Sequence, residues 1–306
     1  VKISIVVPLF NEEENVVELH RRIVAALEEF GHPFEMIFVD DGSRDGTVPI
    51  SRGIASSDSR VRVIQLRRNY GQTPSMRAGI DYATGDVIVT MDGDLQNDPA
   101  DIPQLVERLQ QGYDLVAGWR RNRQDAFLSR KLPSKAANWL IGKVVGVPIR
   151  DNGCSLKAYR STVIKHTPLY SEMHRFIPAM VTATGGRIAE VPVRHHPRLR
   201  GTSKYGISRT GKVLLDMITV KMLITFSQRP LHWFGILALP PGLAALLAIL
   251  AHLIMIADPK IDASAVLPAV AALFAYLSIH MIMLGLLGEL VVRTGRRPPI
   301  RSFARL

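Results

Sequence analysis

Two stretches, Leu231 to Ile256 and Ala265 to Val292, contain between them one formally charged side chain, Glu289. Each exceeds the roughly 20 residues that carry a helix across the hydrocarbon of a bilayer. In hydrocarbon the backbone must be satisfied internally, so the helix is the form open to such a segment. Two spans are therefore expected, preceded by a non-membrane body of about 230 residues. Pro240 and Pro241 should kink the first span, which lipid-embedded helices tolerate when neighbours take up the freed carbonyls. A hairpin of core helices is the competing reading, and two such long runs in succession disfavour it.

The formal net charge of +11 is unevenly spread. Trp119 to Lys135 carries +5, Arg194 to Lys212 +6 and Arg293 onward +5, so the rest of the chain is net acidic. A uniformly basic nucleic-acid binder would not look like this. Basic segments beside spans mark the cytoplasmic side and its anionic headgroups, which puts the Asp258 to Ser264 link outside. No N-terminal run has the pattern of a secretory signal, and a trimmed start is expected where Val1 stands in place of Met. The lone Cys154 cannot form an intrachain disulfide and fits a reducing compartment.

Along the first part, short apolar β-type runs alternate with helical ones. Lys2 to Val7 is stopped by Pro8, and Asn11 opens an amphipathic segment up to Phe30, with Asn11 and Glu14 as a capping box. Met36 to Val39, Val61 to Leu66, Asp86 to Thr90 and Tyr113 to Ala117 read as further strands, and Gln72 to Ala83 as a helix. This is the pattern of a mostly parallel, doubly wound α/β sheet, whose ligands bind beyond the carboxyl ends of the strands. Those ends carry Pro8 to Glu12, Asp40 to Ser43, and Asp92 to Gln96. Neither G-x-G-x-x-G after the first strand nor G-x-x-x-x-G-K-[ST] is present, so a dinucleotide fold and a P-loop are not supported.

The third cluster is the most informative. If IVTMDGDLQNDP, from Ile88 to Pro99, leaves the sheet still extended, Asp92, Asp94 and Gln96 point to one side. Two carboxylates and an amide oxygen make an incomplete oxygen cage suited to Mg²⁺ or Mn²⁺ that shares its other positions with water and phosphate oxygens. Gly93 keeps the backbone between them open. Acids after a strand are also ordinary turn residues, and only the shared rim raises the metal reading. An acidic rim accepts a nucleotide when a carboxylate takes hydrogen bonds from base or ribose and a metal neutralises the diphosphate, which fits a nucleotide-sugar donor.

The ordered run VVPLFNEEENV, VDDGSRDGT, NYGQ and TGDVIVTMDGDLQNDP resembles the family 2 glycosyltransferases of GT-A fold. With RRNRQDAFLSRKLPSK, DNGCSLKAYR, RLRGTSKY and the two spans, it is most similar to their polyprenyl-phosphate branch: bacterial undecaprenyl-phosphate glycosyltransferases and, more distantly, dolichyl-phosphate mannose synthases. The resemblance covers essentially the whole chain. The Q-x-x-R-W motif of processive synthases is missing, which argues against a polymerase. Implied is a GT-A (Rossmann-like, mostly parallel) catalytic domain over 1–206 with an interfacial helix at about 133–147, and a juxtamembrane amphipathic helix over 207–230. Two transmembrane helices over 231–292 and a basic cytoplasmic tail over 293–306 follow. The protein would then be a multi-pass protein of the bacterial inner membrane with its catalytic domain cytoplasmic, and by the same resemblance a homo-oligomer, a tetramer.

The resemblance also implies roles. Nucleotide-sugar contacts fall on Pro8, Phe10, Glu12, Val39, Asp41 and Asp92; Phe10 stands where many relatives have Tyr, so stacking persists without the hydroxyl. A solvated turn feeding a helix N-terminus suits Asp40 nearly as well as a nucleotide contact, whereas for Asp41 the contact is favoured. Asp92, Asp94 and Gln96 are the metal set, and Arg198 and Lys204 close on the donor diphosphate, with Arg200 beside them, although a solvated basic loop fits them too. Arg120, Arg130 and Ser134 bind the lipid phosphate, which guanidinium forks suit. Asp94 and Asp151 are the catalytic candidates. Asp151 either orients the acceptor or acts as base, and a phosphate monoester, with a second pKa of about 6, does not demand a strong one. Cys154 reads as a packed residue, His195 and His196 carry no assignment, and Glu289 either snorkels or pairs across an oligomer interface.

The expected function is inverting, metal-dependent transfer of a sugar from a nucleotide sugar, UDP-linked, to polyprenyl (undecaprenyl) phosphate at the cytoplasmic membrane face. The alternatives are a GDP-mannose-dependent synthase, a non-catalytic membrane-anchored sugar-nucleotide-binding protein, and a nucleic-acid-binding membrane protein. Confinement of basic charge to membrane-side segments disfavours the last, so nucleic acid is not an expected partner.

Overall fold

The computed structural model describes residues 1–121, 149–167, 169, 173–197, 219, 222, 229–257 and 265–294. They fall into two compact units, one within 1–217 and one within 218–297. The interfacial helix at about 133–147, nearly all of 207–230, the Asp258 to Ser264 link and the tail beyond Thr294 lie outside the described residues, as do Arg130, Ser134, Arg198, Arg200 and Lys204.

The first unit is built on strands whose alternate side chains feed two different cores. In β1 (Ile3–Leu9), Ile3, Ile5, Val7 and Leu9 enter one core and Val6 the other. In β2 (Phe34–Asp40), Met36 and Phe38 take the first side, and Ile37 and Val39 the second. Strands buried on both faces read as unbroken apolar runs, and that is how these two read. α1 (Val16–Phe30) closes the first core with Val16, Leu19, Ile23 and Leu27, spaced to lie on one helical face. α2 (Thr47–Ser57) packs on the same core, β3 (Val61–Gln65) forms the sheet edge, and α3 (Gln72–Tyr82) covers the second core.

β4 (Val87–Thr90), α4 (Ile102–Gln110), β5 (Leu115–Trp119), β6 (Lys157–Arg160), α5 (Ser161–Ile164), α6 (Ile177–Ala183) and β7 (Ile188–Pro192) complete the unit. The strand order is β3-β2-β1-β4-β6-β5-β7. All neighbouring strands are parallel except β6, which runs antiparallel between β4 and β5. The order reverses at β1 and β4, so the crevice beyond their carboxyl ends is where a sheet of this kind takes its ligand. This is the expected mostly parallel α/β architecture.

Two local expectations are corrected. β1 does not stop at Pro8 but continues to Leu9. The Val6 carbonyl accepts from the Met91 N–H, so even-numbered residues of β1 direct their main chain toward β4. Pairing with β4 ends at Val6 and Thr90, and Pro8 therefore lacks an N–H where no ladder calls for one. Asn11 and Glu14 form no capping box, because α1 starts only at Val16, with Asn15 as its cap residue. Asn11 sits at φ 52° and binds the neighbouring loop instead.

The second unit is a pair of helices, α7 (Pro230–Ala257) and α8 (Val266–Thr294). Both are long and apolar enough to cross a membrane. They are apolar all round, and large side chains such as Leu239 and Ile254 are 68% and 70% exposed. A helix apolar on every face needs an apolar surround, which lipid supplies where protein does not. At Pro240 and Pro241 the α7 ladder lacks donors, and one turn away the Ser278 hydroxyl donates to the Ala238 carbonyl at 2.9 Å. A Cβ on Gly288 would come within 2.8 Å of Pro230, so glycine there lets the helices approach closely.

The two-sided burial gives a direct stability test. Ile5→Ala, at a fully buried position of the central strand, should cost about 2–5 kcal/mol. Val17→Ala, on the exposed face of α1, should stay within about 0.5 kcal/mol. Thermal unfolding of the purified variants in detergent checks both.

Candidate functional site

Three loops meet at the carboxyl edge of β1, β2 and β4, stitched together by side chain to main chain hydrogen bonds. After β1, the Asn11 N–H donates to Ser43 Oγ at 2.9 Å, and Asn11 Oδ1 accepts from the Arg44 N–H at 2.9 Å. The Glu12 N–H donates to Thr47 Oγ1, and Glu12 Oε2 accepts from Asn15 Nδ2 at 2.7 Å. After β2, Asp40 folds back to accept from the N–H groups of Gly42 and Ser43, the work of a turn residue. Gly42 has φ 73°, and a Cβ there would lie 2.6 Å from the Arg68 main chain, so only glycine fits.

Asp41 behaves differently from its neighbour. Its two oxygens accept from the N–H groups of Tyr70 and Gly71 at 2.7 and 2.8 Å, holding the entry to α3. The next residue, Gln72, donates its side-chain amide to Asp92 Oδ1 at 2.6 Å. The second and third loops are thereby joined through one short peptide. Pro8 and Phe10 stand half-buried at the same edge, whereas the Val39 side chain is fully buried in the second core, so only its main chain can contribute to a site.

The Asp92 to Gln96 segment does not continue the strand. β4 ends at Thr90, and Leu95, at φ 60°, turns the chain through the left-handed region, so simple alternation does not govern where these side chains point. Gly93 has a packing role in place of the open backbone expected: a Cβ would stand 2.5 Å from Leu9 Cδ2. Asp94 is 8% exposed, and its Oδ1 accepts from the Gln96 N–H at 3.2 Å. Burial, with the Asp94 charge added to it, pushes the Asp92 carboxyl up to about 6. Repulsion between two carboxylates at a rim is what a divalent cation relieves, and Asp92, Asp94 and Gln96 supply the oxygens it prefers. The donor set therefore fits Mg²⁺ or Mn²⁺. The Gln96 carbonyl accepts from the His196 N–H at 2.9 Å, and His196 Nε2 lies 3.1 Å from Asp98 Oδ2. The unassigned His196 thus ties the chain after β7 to this loop, two residues before Arg198.

The other half of the edge follows β5. Arg120 Nε and Nη2 donate to Asp151 Oδ2 and Oδ1 at 2.7 and 2.9 Å, a bidentate pair with Asp151 only 3% exposed. Burial works against the guanidinium charge, but the Asp151 carboxylate outweighs it and holds Arg120 above its ordinary range. Two residues assigned to separate roles by sequence are thus bound to each other. A Cβ on Gly153 would lie 3.2 Å from Arg120 Nη2, a tight contact that would press on the guanidinium. The Trp119 ring is flanked by the guanidinium groups of Arg150, at 4.5 Å, and Arg121, at 5.9 Å. Cys154 is wholly buried, and burial pushes its thiol up to about 11, which suits a packed residue and not a nucleophile.

Between the halves lies a narrow cleft lined by Pro8, Gln72, Asp92, Ser155, Lys157 and His174 among others. Four of these, Gln72, Ser155, Lys157 and His174, received no role from the sequence. Lys157 left a trace: a lysine inside LKAY, where both neighbours are apolar and the strand is covered on both faces. His174, bonded through Nδ1 to Thr73 Oγ1 at 2.8 Å, left none.

With this geometry in place, comparison with known proteins is informative. Residues 4–168 match the model of glycosyl transferase family 2. The chain is 46% identical over 300 residues to a dodecaprenyl-phosphate galacturonate synthase of Rhizobium johnstonii, covering 96% of this chain and 88% of that protein. It is 39% identical over 293 residues to an undecaprenyl-phosphate 4-deoxy-4-formamido-L-arabinose transferase of Edwardsiella ictaluri, covering 95% and 89%. Among solved structures, a glucosyl-3-phosphoglycerate synthase of Mycobacterium tuberculosis in complex with Mn²⁺, UDP and phosphoglyceric acid superposes with a TM-score of 0.56. That match covers 73% of this chain and 78% of that one at 21% identity, a likeness of fold.

Two outcomes are expected from the electrostatics. A cation binds the deprotonated carboxylates, so with Asp92 raised to about 6, affinity for Mn²⁺ should fall by about tenfold per pH unit as pH drops below that value. Titration calorimetry at pH 5.0 and 7.5 reads this. Arg120→Met leaves the Asp151 carboxylate buried without its guanidinium and should cost about 3–5 kcal/mol; adding Asp151→Asn should recover part of the loss in thermal unfolding.

Proposed function

The chain belongs to glycosyltransferase family 2, and we propose that it transfers a sugar from a nucleotide sugar to polyprenyl phosphate at a membrane surface. The single observation that carries this reading is the presence, on one sheet edge, of the mutually repelling carboxylates Asp92 and Asp94 together with the bidentate pair of Arg120 and the buried Asp151. Relatives that match almost the full length, apolar helices included, are named as acting on dodecaprenyl and undecaprenyl phosphate, which supports the acceptor class.

On this reading Asp41 and Glu12 receive the nucleoside, Phe10 and Pro8 wall it, and the main chain at Val39 closes it. Asp92, Asp94 and Gln96 would hold Mg²⁺ or Mn²⁺, whose chemistry when bound is to offset the negative charge that gathers on the diphosphate as the glycosidic bond breaks. Arg198 and Lys204 would add charge to the same diphosphate. A phosphate oxygen of the acceptor attacks the anomeric carbon, the bond to the nucleoside diphosphate breaks with its electron pair on the departing oxygen, and the configuration inverts. Arg120, with Arg130 and Ser134, holds the acceptor phosphate. Asp151 accepts from Arg120 with both oxygens, which aims that guanidinium at the acceptor, and the already anionic phosphate needs no strong base.

The finer assignments belong to the same proposal. UDP is the expected nucleotide, the basic segments favour the cytoplasmic side of a bacterial inner membrane for the first unit, and the family resemblance favours a self-associated, tetrameric protein. Incubation with undecaprenyl phosphate, Mg²⁺ or Mn²⁺ and a panel of UDP- and GDP-sugars, read by product mass, tests donor and acceptor together. Asp94→Ala is expected to lose at least about 100-fold in turnover, the scale of one electrostatic stabiliser, while unfolding at the wild-type temperature. Undiminished wild-type turnover in EDTA would sink the cation assignment.

A further inference from the structure

Lys157 is a buried charge that the reaction above does not use. It opens β6, is 2% exposed, and pairs in register with Thr90 of β4 and Ala117 of β5. It therefore stands between the strand that leads to Asp92 and the strand that leads to Arg120. Among the described residues it makes no ion pair. Its Nζ donates instead to the carbonyl of Cys154 and, at 3.4 Å, to that of Asn152. Burying an ammonium against two neutral carbonyls is costly, and a methionine of similar length would avoid that cost.

The two carbonyls belong to the loop Asp151–Ser155, which serves both half-sites. At its start, Asp151 grips Arg120. At its end, the Ser155 carbonyl accepts from Thr90 Oγ1 at 2.9 Å, Ser155 Oγ accepts from Asn97 Nδ2 at 2.8 Å, and the Ser155 side chain bonds to Asp92. Left to its own contacts the loop is poorly satisfied: Asn152 Nδ2 is buried with no hydrogen-bond partner among the described residues, which disfavours this conformation. From the start of β6 the Lys157 ammonium ties the two middle carbonyls of this loop, between the Asp151 contacts at one end and the Ser155 contacts at the other.

We propose that Lys157 is a positioning residue that fixes the donor side and the acceptor side of the site in register. It holds the carbonyls of Asn152 and Cys154, and so sets Asp151 and Arg120 relative to Asp92. The inference rests on the transfer reaction proposed above. Each substrate binds through its own half, but transfer requires the phosphate oxygen and the anomeric carbon at near-attack distance, where a misplacement of about 1 Å costs about 10²-fold. Loss of the brace should therefore appear in kcat and spare both KM values.

The test uses the full chain in detergent with Lys157→Met and Lys157→Arg, the second retaining charge and donors for both carbonyls. Calorimetric titration with UDP and Mg²⁺ counts folded sites, so kcat is expressed per UDP-binding site. K157M is expected to keep the UDP affinity and both KM values within about threefold while kcat per site falls at least about 30-fold, and K157R to return within about fivefold of wild type. Wild-type kcat in K157M overturns the proposal, as does a loss that falls on KM or one that K157R does not restore. Should K157M bind no UDP, Lys157→Gln, an uncharged donor too short for both carbonyls, is read by the same criteria. Loss of UDP binding in both variants makes Lys157 a purely structural residue and also overturns it. A wild type that turns over none of the nucleotide sugars overturns the reaction itself, a distinct outcome.

Discussion

The site depends on a cluster of buried charge at the ends of β4 and β5 and the start of β6. Three carboxylates, Asp92, Asp94 and Asp151, stand against two cations, Arg120 and Lys157, with Asp94, Asp151 and Lys157 at 8%, 3% and 2% exposure. Such groups do not add stability by attraction alone, because removing each from water costs as much as pairing returns. They persist because every member has fixed hydrogen bonds, and a satisfied network in a low-dielectric setting is rigid. The tally leaves one negative charge in excess, and the Asp94 charge still adds to burial in raising the Asp92 carboxyl although Arg120 and Lys157 act against it. That excess is where the proposed cation would sit.

The rigidity spreads beyond the cluster through main-chain hydrogen bonds. Asn11 joins the loop after β1 to the one after β2, Asp41 joins that loop to the head of α3, and Gln72 joins α3 to Asp92. His196 then draws the chain after β7 onto Gln96. Residues that sequence reasoning gave to nucleotide contact thus have a second occupation as braces. The two occupations are compatible at Asp41, since a carboxylate has about four lone-pair sites and its two bonds to Tyr70 and Gly71 use only part of them.

How far the sequence disclosed all this depended on whether the physics was local. The apolar helices were legible end to end, because their composition is apolar at nearly every residue and long enough to cross a membrane. Strand existence was legible for the same reason in β1 and β2, where both faces are covered. Boundaries were less so: Pro8 looks like a stop until β4 is known to end beside it. Asn11 and Glu14 have the spacing of a capping box, yet the helix begins later because Asn11 is needed across the rim. Alternation from Asp92 to Gln96 failed at Leu95, whose left-handed backbone no residue preference announces. The Arg120–Asp151 pair, 31 residues apart, was invisible as a pair although both members were named. His174 was missed because its partner Thr73 is brought to it by the fold; the Lys157 partners are close in sequence, and what stayed hidden there is its burial between β4 and β5.

The antiparallel strand explains why the two halves of the site can meet. In a wholly parallel sheet every strand delivers its carboxyl end to the ligand edge, and the loop before a strand lies at the opposite edge. β6 runs the other way, so its first residue, Lys157, aligns with Thr90 at the end of β4, and the Asp151–Ser155 loop arrives at the same edge as Asp92 and Arg120. The direction is written in the order of the motifs: DGDLQ and Trp119–Arg120 come after or at the end of their strands, whereas DNGCS comes before its own. A polar, chemistry-bearing segment that precedes a strand is therefore a sign of reversal in an otherwise parallel sheet. Here that reversal brings Asp92, Arg120 and the Asp151–Ser155 loop to one edge, with the buried Lys157 between the strands that carry the first two.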